Sequence, residues 1–323
     1  MRVWTILPPK WAHDLSPFFL PTIANFYAGP TPVWKSFSWR GMHFANPLGL
    51  AGGVDKDARS LQSWYRLGAG FVEVGTVTPL PQGPNQGTIL DRDLKLNALW
   101  NKMGFPSAGS DVVLKNLQQW QKPFPIPVWI NIGKNRQTPN ESAVQDYLFN
   151  LRHFQAVADA FVVNISSPNT QGLRELQKPE NLKKLLLPLT TEAGKFNKPL
   201  LLKLSPDMDQ SLLTETLLCA VECQVDGFVL TNTTLARTPE MRFPQEGGVS
   251  GAPLKEKSLA ALQIAQSCLG QKRKDLLLVS CGGILSPEDV TERLHLGADL
   301  VEIYSALVLQ GPSFFRKVAK CQK

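Results

Sequence analysis

The sequence predicts a (β/α)8 barrel preceded by a short N-terminal helical extension. Three observations favour this fold: short apolar runs recur eight times, amphipathic helical patterns separate most of them, and 323 residues suit one large domain. Eight such units in one domain are typical of a closed barrel rather than an open sheet. We therefore divide the chain into a helical segment, residues 1–36, and a barrel, residues 37–323.

Residues 1–36 are rich in aromatic and aliphatic side chains, and the segment is also basic. Pro17 and Pro21 predict that the helices in it are short. A helix this apolar has to cover something, and two partners remain open: the barrel, or the interface of a lipid bilayer. The sequence has no run of eighteen uncharged apolar residues, so we expect no segment that spans a membrane.

The remaining elements follow in order along the chain. A short hairpin is predicted around Arg40-Gly41, where alternating apolar residues flank a turn. Two examples of the amphipathic helices are residues 211–223 and 287–295. The eight barrel strands are predicted at residues 48–51, 71–75, 128–132, 161–165, 200–204, 227–230, 276–280 and 300–303.

Composition restricts the classes of partner. The formal net charge of +7 favours anionic small molecules or an anionic membrane surface, although a plain basic enzyme fits equally well. The sequence has no basic patch interleaved with aromatic residues, which would indicate nucleic-acid binding. The five cysteines form no Cys-x-x-Cys pair, and no histidine lies near Cys219 and Cys223 in sequence. We therefore expect buried free thiols and no metal site.

Polar residues follow the predicted strands at their carboxyl ends. After the fourth strand the chain reads Ser166-Ser-Pro-Asn-Thr170, which on its own is compatible with an ordinary turn. The other strands end in similar groups, which are Gly52-Gly53 with Lys56, Gly75-Thr76, Asn131, Lys203, Thr231-Asn-Thr-Thr234, Gly282-Gly283 and Tyr304-Ser305. Because barrels of this type carry their active sites at this end, the pattern predicts a site for a polar ligand.

Gly282-Gly283 also suits a phosphate group. Bare backbone N–H groups can approach a phosphate closely, and Ser286-Pro287 begins a predicted helix whose dipole favours negative charge. Glycine pairs are common in turns, but the loops after the seventh and eighth strands are the usual phosphate site of these barrels. The position of the pair therefore favours the phosphate.

The chain resembles the dihydroorotate dehydrogenases, specifically their quinone-dependent, membrane-associated class. The resemblance extends from about Trp11 to the end, and its matching segments are residues 46–56, 75–79, 101–105, 131–135, 164–170, 203–207, 231–234 and 247–251. It implies oxidation of dihydroorotate to orotate in de novo pyrimidine biosynthesis. Hydride passes from C6 of the substrate to N5 of a bound FMN, and a quinone then accepts the electrons.

The resemblance also implies a role for each polar group. Ser167 is the base that removes the C5 proton, while Thr170 supplies a proton outlet through water and Phe105 a hydrophobic wall. Lys203 lies beside flavin N1 and O2, where a cation stabilises the reduced flavin. The residues that bind substrate are Lys56, Asn101, Phe105, Asn164, Ser166, Asn169, Asn232 and Thr233. The residues that bind FMN are Ala51, Gly52, Gly53, Lys56, Thr76, Asn131, Asn164, Lys203, Thr231, Ser250, Gly251, Gly282, Gly283, Tyr304 and Ser305.

The N-terminal segment acquires a function from the same resemblance. In the family, two short helices form an apolar funnel from the bilayer to the flavin, and His13, Arg92 and Tyr304 match residues that line it. Peripheral attachment to the cytoplasmic face of the cell membrane follows, with no obligatory protein partner. The chain departs from the family in a shorter segment, in residues 86–89, which replace a stretch containing Pro-Arg, and in Gly52, where alanine is usual.

Two other functions remain open. A flavin barrel could pass its electrons to a soluble acceptor such as fumarate or NAD, but the soluble class uses a cysteine where this chain has Ser167, and the N-terminal segment also argues against it. A flavin-binding scaffold without turnover is the second alternative. The complete set of Lys56, Asn101, Ser167, Lys203 and Asn232 argues against a scaffold.

Overall fold

Eight parallel strands close into a barrel in the computed structural model, which describes residues 7–26, 30–120 and 122–322. The strands of the described residues are β1 (Phe37–Trp39), β2 (Met42–Phe44), β3 (Leu48–Leu50), β4 (Val72–Val77), β5 (Leu90–Asp93), β6 (Ala98–Asn101), β7 (Val128–Ile132), β8 (Ala160–Asn164), β9 (Leu200–Leu204), β10 (Gly227–Leu230), β11 (Gly248–Gly251), β12 (Leu277–Cys281) and β13 (Leu300–Ile303). The α-helices are α1 (Pro9–Asn25), α2 (Leu61–Leu67), α3 (Ser110–Gln118), α4 (Ala143–Phe154), α5 (Pro179–Lys195), α6 (Gln210–Glu222), α7 (Lys255–Leu269), α8 (Pro287–His295), α9 (Ser305–Gln310) and α10 (Phe314–Cys321).

The barrel contains β3, β4, β7, β8, β9, β10, β12 and β13, which follow one another around it in chain order. At least one helix follows each of these strands before the next one begins. The remaining strands form an antiparallel hairpin, β1–β2, and a small antiparallel sheet in the order β11–β6–β5. The predicted (β/α)8 barrel and the predicted hairpin are therefore confirmed.

The predicted strand positions agree closely with the structure. β7, β9, β10 and β13 have the predicted bounds, and the other four barrel strands differ by one or two residues at an end. The largest difference is in β4, which continues past Gly75 to Val77 and has a register shift there. Ladder hydrogen bonds use backbone groups, so a strand can extend beyond the apolar run that identifies it.

Aromatic side chains close the amino-terminal end of the barrel. Phe71 and Trp129 lie where β4 and β7 begin, with ring centroids 4.6 Å apart. Phe44, from the hairpin, packs edge-on against both, at 5.8 Å and 6.1 Å. Because all three rings are buried, this end of the barrel is filled. Ligands therefore have access from the carboxyl ends of the strands.

The N-terminal helix corrects one prediction. Pro17 and Pro21 do not divide the segment into short helices, because α1 runs through both. Pro21 is exposed and Pro17 half-buried, so water can satisfy carbonyl groups that lose an N–H donor on this outer helix. α1 packs against α2 and β5, with Leu20 and Ala24 buried. Within the described ranges, no helix has the length and apolar character needed to cross a bilayer.

Candidate active site

A single cavity joins the carboxyl end of the barrel to the inner face of α1. Its volume is about 340 Å³. Lys203 and Glu302 lie in its wall on the barrel side, and Leu15, Phe19 and Ile23 lie in its wall on the α1 side. The polar rim predicted from the strand ends and the apolar N-terminal segment therefore share one continuous space.

Most of the predicted site residues meet in this cavity. Those that line it are Ala51, Gly52, Gly53, Lys56, Thr76, Arg92, Asn101, Phe105, Asn164, Ser167, Asn169, Lys203, Thr231, Asn232, Thr233, Ser250, Gly282, Gly283, Tyr304 and Ser305. Ser166, Thr170, Asn131 and Gly251 lie outside its wall. The side chain of His13 is outside the described part of the chain.

The amide side chains hold one another in fixed orientations. Asn169 Nδ2 donates a hydrogen bond to Asn101 Oδ1 at 2.8 Å, which joins the loop after β8 to the end of β6. On the other side, Asn232 Nδ2 donates to Ser166 Oγ at 3.0 Å, and Ser166 Oγ donates to Asn164 Oδ1 at 3.1 Å. Asparagine offers both donors and an acceptor, so these groups can match a ring that carries alternating carbonyl and N–H groups.

Ser167 lies in the cavity wall with its side chain almost inaccessible to solvent. Its Oγ accepts a hydrogen bond from the backbone N–H of Asn169 at 3.2 Å. Because Ser167 accepts in this bond, its own proton remains available to a group in the cavity. Three residues later in the chain, Thr170 Oγ1 is buried and has no hydrogen-bond partner among the described residues. A water molecule or a ligand would satisfy it.

Phe105 supplies an apolar wall at the same place. Its ring lies close to Gly133, where an added Cβ would approach Phe105 Cε2 to 3.1 Å. The backbone of Phe105 has φ = 55°, in the left-handed region that a bulky residue seldom adopts. The surrounding structure therefore holds the Phe105 backbone in a conformation that costs energy, which is typical of functional sites.

An ion triad lies at the bottom of the cavity. Lys203 Nζ is 2.8 Å from Glu73 Oε1 and 3.3 Å from Glu302 Oε2, and all three side chains are buried. Burial opposes the charge on Lys203, but the two carboxylates outweigh this and raise its pKa. Burial, together with Glu73, raises the pKa of Glu302 well above its ordinary range. Asn131, behind the wall, donates from Nδ2 to Glu73 Oε1 at 2.6 Å and accepts from Asn164 Nδ2 at 3.2 Å.

Glu73 and Glu302 were absent from the residues predicted for the site. Each interrupts an otherwise apolar strand, Phe71-Val-Glu-Val74 and Leu300-Val-Glu-Ile303. A charge within such a strand needs a partner of opposite sign, and Lys203 is the corresponding interruption of β9. The three interruptions together were the signal that could have revealed the triad.

Lys56 is a second cation in the cavity wall. It is half-buried, and its Nζ lies 3.4 Å from Met103 Sδ. Burial lowers the pKa of Lys56 to about 8, against the opposing effects of Asp57 and Asp14. An anionic group in the cavity would favour the charged form of this lysine.

Arg174 joins the two loops that carry the amide network, and it was also absent from the predicted residues. Its guanidinium donates to the carbonyl groups of Ser166 and Thr233, each at 3.0 Å. It also pairs with Asp207 at 2.9 Å. These contacts fix the loop after β8 relative to the loop after β10. Its position at the end of the polar stretch after β8 was the only sequence signal.

The glycine pair after β12 forms bare backbone in the cavity wall. Gly282 and Gly283 have φ values of 109° and 72°, and a Cβ on Gly283 would lie 2.3 Å from the Cα of Lys255. No other residue therefore fits at Gly283. Ser286 caps α8 by accepting from the N–H of Asp289 at 3.2 Å. Backbone N–H groups in such a cradle can bind a phosphate.

Comparisons with known proteins agree on one family. The model of the family described as dihydroorotate dehydrogenase matches residues 36–321. Dihydroorotate dehydrogenase (quinone) from a strain of Thermus thermophilus is 44% identical over 283 residues, which cover 86% of this chain and 79% of the relative. The enzyme of the same name from Anaeromyxobacter sp. strain Fw109-5 is 38% identical over 330 residues, which cover 98% of this chain and 89% of the relative.

Solved structures are similar over nearly the whole chain. The crystal structure of DHODH from Eimeria tenella in complex with ferulenol has a TM-score of 0.86 and 31% sequence identity, and the match covers 97% of this chain and 90% of that one. The ligand-free form from the same organism has a TM-score of 0.84, also at 31% identity, over 95% of this chain and 93% of that one.

Proposed function

The chain belongs to the dihydroorotate dehydrogenase family, and on this premise we propose that it oxidises dihydroorotate to orotate in de novo pyrimidine biosynthesis, with a quinone as electron acceptor. The observation that carries this proposal is the continuity of the cavity. One space has polar amides and lysines at the barrel end and apolar side chains of α1 at the other. A polar substrate and an apolar electron acceptor would each find a matching end.

The family implies a flavin, and we propose that it is FMN. When bound, FMN would accept hydride from C6 of the substrate and release the electrons to the quinone. The triad cation Lys203 would lie beside its ring, and Gly282 and Gly283 would hold its phosphate. The other proposed contacts are Ala51, Gly52, Gly53, Lys56, Thr76, Asn131, Asn164, Thr231, Ser250, Gly251, Tyr304 and Ser305. The bare glycine cradle and the buried polar atoms without partners support this assignment.

The amide network would bind the pyrimidine ring. Asn101 and Asn169 on one side, and Asn232 and Thr233 on the other, carry both donors and acceptors towards the cavity. Asn169 Oδ1 and Thr233 Oγ1 are buried without a partner among the described residues, so each has bonding capacity left for a ligand. Asn164 and Ser166 would orient Asn232 from behind, and Lys56 would pair with the substrate carboxylate.

Ser167 would remove the proton from C5. An unassisted hydroxyl is a weak base, so the site has to remove its proton and exclude competing water. Thr170, whose hydroxyl is buried without a partner among the described residues, would relay that proton through a bound water towards bulk solvent and give up its own proton in exchange. Phe105 would keep bulk water away. Arg174 would hold the loop of Ser167 in place by its bond to the Ser166 carbonyl.

The quinone would enter along α1. Leu15, Phe19 and Ile23 form the apolar part of that passage, and Arg92 and Tyr304 supply polar groups; His13 is also proposed to lie there. We propose that residues 1–36 form the membrane and quinone segment, and residues 37–323 the catalytic barrel. Trp11 and Phe18 are 63% and 72% exposed, which suits peripheral attachment to a membrane. We propose that this is the cytoplasmic face of the cell membrane.

Turnover with defined acceptors tests the function. The purified protein should oxidise dihydroorotate with a short-chain quinone, and heat-released cofactor should co-elute with FMN. Turnover with fumarate or NAD but not with quinones would instead assign the chain a soluble acceptor. A preparation that takes up no flavin would indicate a protein without turnover.

A further inference from the structure

Arg293, on α8, is a fully buried cation behind the glycine cradle. Its side chain is 0% exposed. Nη2 of the guanidinium shares its two hydrogens among three acceptors, which are Ser258 Oγ at 3.0 Å, the Gly282 carbonyl at 3.2 Å and the Lys255 carbonyl at 3.2 Å. It also reaches Ser280 Oγ at 3.4 Å. All these partners are neutral, so none of them balances its charge.

No carboxylate of the described residues pairs directly with Arg293. Glu292 and Asp289 attract it at longer range, but both of them form ion pairs with Lys255, at 3.1 Å and 2.6 Å. Nε of Arg293 is also buried, and none of the described residues forms a hydrogen bond with it. A buried charge without a counterion is costly, so an anion that binds nearby would relieve this cost.

The hydrogen bond to Gly282 connects Arg293 to the cavity. The Gly282 carbonyl accepts from Arg293 Nη2 and from Ser258 Oγ, the latter at 2.8 Å. The single proton of Ser258 is shared between this carbonyl and that of Lys255, at 2.9 Å. This carbonyl belongs to the same peptide unit as the N–H of Gly283. In a trans peptide the two groups point in opposite directions, so fixing the carbonyl turns this N–H away from Arg293. Bonds to the carbonyl also polarise the N–H and strengthen it as a donor.

We propose that Arg293 is the positioning residue for the phosphate of the cofactor and determines the preference for FMN over riboflavin, which lacks the phosphate. Arg293 fixes the Gly282-Gly283 peptide so that the Gly283 N–H donates to the phosphate, and the phosphate charge in turn balances the buried guanidinium. The inference rests on the proposal that the flavin is FMN.

Flavin exchange tests this assignment. The full-length protein, purified with its flavin, is equilibrated with FMN or with riboflavin, and each dissociation constant is measured from the fluorescence of released flavin. We expect Arg293→Met to weaken FMN about 10- to 100-fold, because a hydrogen-bonded charge is lost, and to change riboflavin less than about threefold. Arg293→Lys keeps the charge without the planar fork and should recover part of the preference.

Two further variants keep the test decisive. Ser258→Ala removes the other donor to the Gly282 carbonyl and should reduce the FMN preference even if Arg293→Met does not fold. Arg273→Met is the matched control, because Arg273 pairs with Asp299 at 2.7 Å and lies outside the cavity wall. The preference of this variant for FMN over riboflavin should equal that of the wild type.

The outcomes distinguish failure of the FMN proposal from failure of the inference about Arg293. A wild type that binds riboflavin as tightly as FMN would refute the proposed cofactor, and the inference with it. If the wild type prefers FMN and Arg293→Met retains that preference, or weakens both flavins equally, the inference alone is overturned. The same holds if Ser258→Ala and Arg293→Lys both leave the preference unchanged.

Discussion

Lys203 Nζ lies 2.8 Å from Glu73 Oε1 within the barrel, and Glu302 approaches the same ammonium group at 3.3 Å. One cation cannot neutralise two buried carboxylates, so the triad is most stable when it holds an additional proton. The raised pKa of Glu302, caused by burial and by Glu73, places that proton on Glu302. With that proton the triad carries no net charge.

This relationship predicts a pH dependence of stability. Because the pKa of Glu302 is raised on folding, its contribution to stability is complete below the ordinary value of 4.5 and declines as pH rises towards the folded pKa. Glu302→Gln removes the titration without changing size. We therefore expect the free energy of unfolding of the variant, relative to wild type, to increase with pH above about 5, by up to about 1.4 kcal/mol per pH unit.

Urea unfolding at several pH values between about 5 and 8 measures this difference. Glu215→Gln is the control, since Glu215 is exposed on α6. Its unfolding free energy should follow that of the wild type at every pH. Parallel curves for wild type and Glu302→Gln would show that Glu302 does not hold the proton.

The sequence was sufficient to predict the barrel and the polar end of it. Apolar runs mark strands that are buried on both sides, and the groups that follow them converge because all eight strands are parallel. Residues such as Ser167 and Asn232 could therefore be assigned to one cavity although 65 positions separate them in the chain. Neither prediction required a side-chain position.

Relationships that depend on closure of the barrel could not be predicted in the same way. Glu73, Lys203 and Glu302 lie on β4, β9 and β13, and only the closed geometry brings them together. Arg293 reaches Gly282 from the following helix, a contact that no local pattern specifies. The prediction that α1 would be broken at Pro21 was wrong because helix propensity does not account for packing against β5 and α2.

The assignment of Ser167 as the base predicts a selective loss of rate. Ser167→Ala should retain its flavin and slow flavin reduction by dihydroorotate by about 10²- to 10⁴-fold, since general bases contribute this much. Anaerobic stopped-flow absorbance measures that step separately from quinone turnover. The base assignment fails if the variant is reduced at the wild-type rate.

Ser205→Ala is a closely matched control. Ser205 directly follows β9, whereas Ser167 is the third residue after β8, but the two share one bonding pattern. Ser205 Oγ accepts from the N–H two residues later, that of Asp207, at 3.2 Å. It lies outside the cavity wall, so its loss should change loop stability but not the reduction rate by more than about twofold. Equal losses in both variants would indicate that loop order, rather than proton removal, limits the reaction.

Lys56 predicts the pH dependence of ligand binding. Burial lowers its pKa to about 8, so the unliganded lysine is charged below that pH and loses its proton above it. Orotate is anionic throughout this range and favours the charged form. We expect orotate affinity to be constant from about pH 6 to 7.5 and to fall by up to tenfold per pH unit above about 8.

Titration of the bound flavin absorbance with orotate measures this affinity. Lys56→Arg keeps its charge at every pH tested and should remove the decline in orotate affinity. Lys56→Met should bind orotate weakly at every pH and show no such decline. A decline of the same size in Lys56→Met would assign the titration to another group.

Two adjacent phenylalanines of α1, Phe18 and Phe19, provide a matched pair for testing the passage along this helix. Phe19 lines the cavity and Phe18 does not, although both are largely exposed, at 58% and 72%. Phe19→Ala should raise the KM for a short-chain quinone in detergent solution about 5- to 30-fold, because an aromatic contact worth about 1 to 2 kcal/mol is lost. Flavin reduction by dihydroorotate should be unchanged, since the barrel end of the cavity is intact.

Phe18→Ala should leave both steps within about twofold under these conditions, yet it should weaken binding to anionic vesicles if its ring contacts the bilayer. Equal quinone kinetics in the two variants would place the quinone elsewhere on the surface, and a slower flavin reduction in Phe19→Ala would mean that α1 supports the substrate end as well.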